Sequence, residues 1–294
     1  MRKVKRRAGR LLLGDHMNIN LSKIAIISSL AATLLTLSSH AHAGAWVLDK
    51  GKSYNKVGFS DYSADEFFGE NADLGEFEGT SISYYGEWGL GNNFGIFTSV
   101  LFQDIEQTNS IGEAVSNDGL GDVDIGIKYQ WQAAPFVLST QLLAKLPYLY
   151  DEDDELPLGN GQEDIEAKVL IGKSLGAAGY FGVEFGYRVR TDAPSDEFRY
   201  LIEYGVSFTE NLYFRTKLDG IESANNADSS FDENGNLSLT NEFDIGKLEL
   251  TLGWNFGKPS DNGQWGAEAT YTEDLFGDNT LEGNGFQLAV TRTF

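Results

Sequence analysis

The side chains that carry acid–base, nucleophilic or metal chemistry are distributed unevenly along the 294 residues. There is no cysteine, and the histidines (His16, His40, His42) and methionines (Met1, Met17) all precede residue 44. Beyond that point a Ser-His-Asp or Cys-His nucleophile has no imidazole base. Zinc, haem and iron–sulfur centres lack their nitrogen and sulfur ligands, which leaves hard cations held by oxygen. Carboxylates dominate what remains: 44 acidic residues stand against 22 basic ones, a formal net charge of −22. Paired carboxylates serve glycoside hydrolysis, but nothing marks two of these acids as a catalytic pair, so no enzymatic activity is expected. A nucleic acid partner is excluded by charge.

The densest charge run is Asp151-Glu152-Asp153-Asp154-Glu155. Such a cluster can take calcium, or bridge through divalent ions to lipopolysaccharide phosphates. No spacing matches a calcium loop, and Asp232-Glu233-Asn234-Gly235 lacks the alternating ligand order. The plainer reading is a solvated acidic loop. No catalytic residue, metal ligand or cofactor is predicted.

An address precedes the fold. Positions 24–37 form a 14-residue apolar stretch after Lys23, followed by Ala41-His42-Ala43 before Gly44. This is the pattern of a secretory signal peptide with small residues at its cleavage site, and it is too short to span a membrane. The basic residues 1–16 add nothing that a signal needs. Translation from Met17 and an extended basic leader are both open readings. Residues 44–294 then form one domain, with no linker or break in composition. The first 43 residues carry seven basic and one acidic side chain, so the remainder has a net charge of −28. No segment in it approaches the length of a transmembrane helix.

The elements that must position the charges read with a period of two. Val123, Ile125, Ile127, Tyr129 and Trp131 alternate with Asp122, Asp124, Gly126, Lys128 and Gln130. Phe181 to Val189 and Phe198 to Phe208 alternate in the same way. Strict alternation over about ten residues predicts strands with one polar and one apolar face. Twelve strands are predicted, at 53–63, 77–88, 94–105, 121–131, 135–146, 163–175, 179–190, 197–208, 212–221, 241–256, 264–273 and 284–294. The apolar phase slips near Gly246. One inserted residue, a bulge, explains this without a thirteenth strand, and a closed meander with both termini on one side needs an even number. Short connections (near 89–93, 132–134, 176–178, 209–211 and 257–263) alternate with long ones (near 64–76, 106–120, 147–162, 191–196, 222–240 and 274–283). The fold class predicted is an all-β, antiparallel up-and-down transmembrane barrel of about 12 strands in the outer membrane of a Gram-negative bacterium.

Three features turn the apolar face outward. The polar face carries charges on nearly every strand. Aromatics gather at strand ends, as in Trp88, Phe94, Trp131, Phe136, Phe208, Trp254, Phe256 and Trp265. The last strand ends in Phe294, which resembles the signal read by the barrel-assembly machinery; Arg292 departs from that pattern, its stem lying along the wall while its head snorkels. With this phase the lumen-lining bases are Lys56, Lys128, Lys145, Lys168, Arg188, Arg190, Arg199, Arg215 and Lys217. The lumen-lining acids are Glu87, Asp122, Asp124, Asp164, Glu166, Glu184, Glu203, Asp219, Glu249 and Glu268. They form either a transverse field that orients a solute or a cross-strand ion-pair network that fills the interior. Tyr85, Phe97, Leu101, Leu143, Tyr180, Leu201 and Tyr213 share this face and either bind an apolar solute or plug space.

Several segments together resemble a known family. They are Gly44-Ala45-Trp46 with GKSYNKVGFSDYSADEFF (51–68), SYYGEWGL (83–90), GLGDVDIGIKYQW (119–131), LGNGQEDIEAKVLIGKSL (158–175) and DEFRYLIEYG (196–205). They resemble the XagA-like outer-membrane proteins and, more distantly, the barrel family named after the meta-pathway of phenol degradation. The most specific piece is GLGD-x-x-(I/L)-G-x-K-Y, at 119–129. The resemblance implies a channel or transporter role, with hydrophobic or aromatic small molecules as solutes, and supplies no catalytic or binding residues. The alternative is a structural or surface-interaction barrel that works through its long acidic loops. The partners expected are outer-membrane lipid, lipopolysaccharide, the assembly machinery and a small solute.

Overall fold

The computed structural model describes residues 44–68, 75–108, 112–191, 194–227, 238–257 and 263–294. The predicted signal peptide at 1–43 and the Asp232–Gly235 motif lie outside the described residues. Twelve strands follow one another: β1 (Ser53–Phe68), β2 (Glu76–Gly91), β3 (Phe94–Thr108), β4 (Ala114–Gln132), β5 (Val137–Leu146), β6 (Asp164–Ser174), β7 (Tyr180–Arg190), β8 (Glu197–Ser207), β9 (Leu212–Ser223), β10 (Asp244–Phe256), β11 (Gln264–Asp278) and β12 (Thr280–Thr293). Each pairs antiparallel with its chain neighbours. β12 returns to β1, with Tyr54 opposite Thr293, and closes the barrel without a free edge.

The residue expected to be inserted in β10 near Gly246 is not there: β10 pairs with β9 without a shift, and the bulged residue opposite Gly246 and Lys247 is Leu275 of β11. Ile245 is buried inside in the same phase as Lys247, Glu249 and Thr251, so an apolar residue on the inner face imitated a slip. Two expectations about loops need correction. Within the long connections predicted at 64–76 and 106–120, residues 64–68, 76, 106–108 and 114–120 are strand, because β1 to β4 extend well beyond the length a membrane requires. Their outer ends carry Asp65, Glu66, Glu76, Glu78 and Glu106, all exposed or half-buried. Where a strand stands in water neither face has to be apolar, so the alternation fades while the ladder continues. The loop predicted at 274–283 is absent. β11 and β12 meet in a tight turn at Asn279, which has φ +55° and whose N–H donates to the Phe68 carbonyl at 3.0 Å. Asparagine tolerates this left-handed conformation better than most residues.

The outward face is a continuous apolar belt. Phe59, Ile82, Ile125, Leu142, Phe185, Leu252, Phe286 and Leu288 are all more than half or about half exposed. A water-soluble chain does not display an apolar surface of this extent; facing lipid it carries no such cost. The aromatic residues Phe94, Trp131, Phe136, Phe208, Trp254, Phe256, Trp265 and Phe294 are exposed at the short-turn end, which is one interfacial girdle. Arg292 stays in that girdle, its guanidinium 4.4 Å from the Trp265 ring and 4.3 Å from the Phe294 ring. What is buried lies inside the barrel: a central body of charged side chains with a small apolar cluster at each end.

Candidate functional site in the barrel interior

Alternation aims the charges inward, and strand register sets opposite charges beside one another. Lys145 is directly opposite Asp164, Asp164 opposite Arg190, Glu166 opposite Arg188, and Lys217 lies between Glu203 and Glu249. The contacts follow. Lys145 Nζ is 3.2 Å from both Asp122 and Asp164. Arg188 reaches Glu166 at 3.0 Å and Asp164 at 3.5 Å. Arg199 joins Glu166 at 3.3 Å to Glu197 at 2.9 Å, and Arg190 meets Glu197 at 2.8 Å. Lys168 bridges Glu166 at 3.2 Å and Glu184 at 3.6 Å. Lys217 contacts Glu249 at 3.4 Å, and Asp124 accepts a hydrogen bond from Ser99 Oγ at 3.1 Å. Asp219 is the exposed member of the set, facing Leu201 of β8 and Lys247 of β10 in register.

Nearer the short turns the charges are bound up with aromatic hydroxyls. Glu268 accepts from Lys56 at 2.9 Å, Arg215 at 3.3 Å and Tyr213 OH at 2.6 Å. Tyr180 OH donates to Glu203 at 2.6 Å. Glu87 pairs with Lys128 at 3.0 Å and accepts from Tyr85 OH at 3.0 Å. The Tyr85 ring lies between those of Tyr54 and Phe97, with centroids 6.3 and 6.4 Å away. Of the predicted apolar lumen residues, Phe97 and Leu143 are buried, and Leu101 lines a cavity described below.

Acids and bases are thus intermixed around the wall and paired between near-neighbour strands. They are not segregated onto opposite walls, which removes the transverse-field reading of the charges. The pairs hold the interior together by neutralising each buried charge where it sits. Alternation alone did not include Glu197, Lys247, Asp274, Tyr54 and Tyr62 among the interior residues. Glu197 has the inward phase at the first residue of the strand expected at 197–208, and Asp274 continues that of β11 one residue beyond the strand expected at 264–273. Lys247 shares the inward phase of Glu249 and Thr251, which the slip expected at Gly246 concealed.

The long-loop end is closed differently. Residues 147–163 fold into the mouth. Leu156 and Leu158 are 2 % and 7 % exposed and pack with Ala64, Phe67, Phe77, Ile105 and Leu281 from the inner wall. Gln103 donates to the Leu158 carbonyl at 2.7 Å, Asn117 to that of Leu156 at 2.9 Å, and Tyr150 OH to Asp122 at 2.8 Å. The acidic run 151–155 is the exposed outer surface of this inturned loop, and no metal-binding cluster is found among the described residues. Beside the loop lies a cavity of about 360 Å³. One part of its lining is apolar (Phe77, Leu101, Ile105, Leu281) and another carries hydroxyl and amide groups (Ser81, Gln103). At its edge Lys247 lies 3.4 Å from Asp274, which also accepts from Tyr62 OH at 2.7 Å.

Residues 68–290 match the protein family described as "Putative MetA-pathway of phenol degradation". The chain belongs to this family. No curated protein sequence matches it. The barrel of this family member is similar to the crystal structure of an outer membrane channel from Pseudomonas putida F1. The identity is 12 % over 85 % of this chain and 98 % of that one, with a TM-score of 0.63. It is also similar to the translocator domain of the autotransporter NalP from Neisseria meningitidis, at 13 % identity over 93 % and 98 % of the two chains and a TM-score of 0.52. At these identities the likeness is one of fold: a closed outer-membrane barrel. The charge pairs and inturned loop are features of this chain's own interior.

Proposed function

We propose that this barrel is an outer-membrane channel for small solutes, including hydrophobic or aromatic ones. The observation that carries this reading is the 360 Å³ cavity beside the inturned loop. An apolar body fits against Phe77, Ile105 and Leu281, while Ser81 and Gln103 hold a polar substituent. This is the composition of a pocket for a small organic molecule rather than for an ion. Below the cavity the paired charges offer such a molecule hydroxyls and guanidinium faces without a net field. The name of the Pseudomonas putida protein, an outer membrane channel, supports the same reading. No residue is assigned a catalytic role. The GLGD-x-x-(I/L)-G-x-K-Y piece further suggests kinship with XagA-like proteins within the family. Export through a signal peptide cleaved before Gly44, and assembly through the strand that ends in Phe294, complete the proposal.

Purified protein in planar bilayers is expected to give discrete conductance steps, and removal of residues 151–158 to enlarge them. In liposome-swelling assays, Phe77→Ala together with Ile105→Ala is expected to slow the flux of benzyl alcohol while leaving that of glycerol unchanged. A barrel that stays silent with the loop removed overturns the channel reading.

A second reading rests on the exposure of Asp151 to Glu155. A run of carboxylates held outward on a folded-in loop can engage lipopolysaccharide phosphates through divalent cations. Replacing the five by amides would then reduce magnesium-dependent binding to lipopolysaccharide with conductance unchanged. Equal binding by both forms rejects it.

A further inference from the structure

Residues 44–52 lie inside the barrel at the short-turn end and run from β1 to the opposite wall. The path starts at a turn in which Lys52 N–H donates to the Asp49 carbonyl and Gly51 N–H to that of Gly89, both at 2.9 Å. Gly51 has φ +81°. The strap then passes β2 so closely that a β-carbon on Gly89 would collide with the Leu48 and Asp49 carbonyls. Val47 lies over Gly95 of β3, and its N–H donates to Gln130 of β4 at 3.1 Å. Ser139 of β5 donates its hydroxyl to the Ala45 carbonyl, and Ala45 is 3 % exposed between Val137 and Leu170. Trp46 covers Gly172 of β6 and meets the Tyr180 ring of β7 edge-on at 6.0 Å. Gly44 lies against Glu184 of β7 and Leu170. In a ring of twelve strands, β7 stands directly opposite β1.

The wall is shaped for this segment. Along its path Gly89, Gly95, Ser139 and Gly172 leave room for the strap between the larger Gln130, Val137, Leu170 and Tyr180 that it touches. The strap is not paired into the sheet. It is held by side chains at Ser139, Gln130, Leu170 and Tyr180, and it pivots on a glycine in a left-handed turn. A segment needed only to complete the wall would join the ladder, whereas this one occupies lumen space through contacts that can be released singly.

We infer that residues 44–48 are a displaceable inner gate. Seated, they fill the β2–β7 half of the short-turn mouth. Hinged out at Gly51, they open it. The gate rests on the channel reading above and would regulate that same path.

The chain has no cysteine, so a single engineered disulfide is unambiguous. A β-carbon on Gly95 would lie 3.4 Å from Val47 Cγ1, with its other neighbours at ordinary contact distance, so V47C with G95C can tether the strap in its seat. The double variant is studied in planar bilayers, oxidised and then reduced, with loop 151–158 present and removed. Beside it run Trp46→Ala, deletion of residues 45–48 and the unaltered protein. The oxidised tether is expected to hold the smallest conductance. Reduction should restore switching to a larger level, Trp46→Ala should favour that level, and the deletion should stay in it. Should the deletion fail to assemble, oxidation against reduction of the tether decides alone. Conductance that is present but equal in oxidised and reduced forms overturns the gate and leaves the channel reading standing. No conductance in any form overturns the channel reading itself.

Discussion

At the residue scale the interior poses one problem, which is how to keep charges out of water. Glu87 and Lys128 answer it as a pair, with side chains 8 % and 3 % exposed. Removing one partner strands the other. Lys128→Met alone is expected to cost about 3–5 kcal/mol, while Glu87→Leu with Lys128→Met recovers most of that loss. Urea unfolding of the barrel in lipid vesicles measures both. Asp196, in the connection between β7 and β8, shows the same logic outside the membrane. Burial pushes its carboxyl pKa up. Hydrogen bonds from the Arg190 N–H at 2.8 Å, Tyr187 OH at 2.8 Å and the Asn226 amide at 3.1 Å outweigh burial and hold the pKa below its ordinary value. A depressed folded pKa means that the stabilisation is complete above the unfolded carboxylate value, near 3.9, and is lost as pH falls through the folded one. Amide protection at Arg190 and Ala224 is therefore expected to hold at pH 5 to 7 and to fall at pH below about 4. In Asp196→Asn that pH step should vanish.

At the scale of elements, most of the architecture was legible. Alternation in β7 and β8 placed those strands almost to their ends, whereas the slip read at Gly246 was an inward-facing Ile245, the bulge being at Leu275 of β11. The failures have a common cause. Alternation reports burial against lipid, so it disappears where β1 to β4 rise into water. It also missed the β11–β12 turn, because Asp274, Gly277, Asp278, Asn279, Thr280, Glu282 and Gly283 read as a polar loop although nearly all of them belong to the two strands. That turn makes a specific demand. Asn279→Val is expected to destabilise the hairpin by about 1–2 kcal/mol through its backbone conformation. Asn279→Gly should lose only the amide bond to the Glu242 carbonyl, about 1 kcal/mol. Thermal shift of the gel mobility of the folded barrel compares the two. Arg292, anomalous on a lipid-facing strand, is explained by the two rings that sandwich it.

For the whole molecule, charge is partitioned. The inward bases and acids found by phase nearly cancel, and adding Lys247, Glu197 and Asp274 changes the balance by one unit. The remaining acids stand on connections and strand ends. A rim of this sign concentrates cations near the mouths within a Debye length, about 10 Å at 0.1 M salt and 3 Å at 1 M. Reversal potentials in salt gradients are therefore expected to show a cation preference at 0.1 M that shrinks toward 1 M. An unchanged preference would locate selectivity among the paired interior charges instead.

By itself the sequence determined the strand phase and with it the lipid face, the girdle and the inward charges. These follow from a period of two that every strand obeys for the same reason: one face meets hydrocarbon and the other does not. It determined nothing about what closes the two mouths. Leu156 and Leu158 look like any apolar pair after an acidic run, and Ala45-Trp46 like any residues ahead of a first strand. Their seats are built from residues far away, as with Ser139, 94 positions from Ala45. Contacts of that kind carry no local period. They exist only once the ring has closed and brought β1 opposite β7, so the tertiary structure alone decided them.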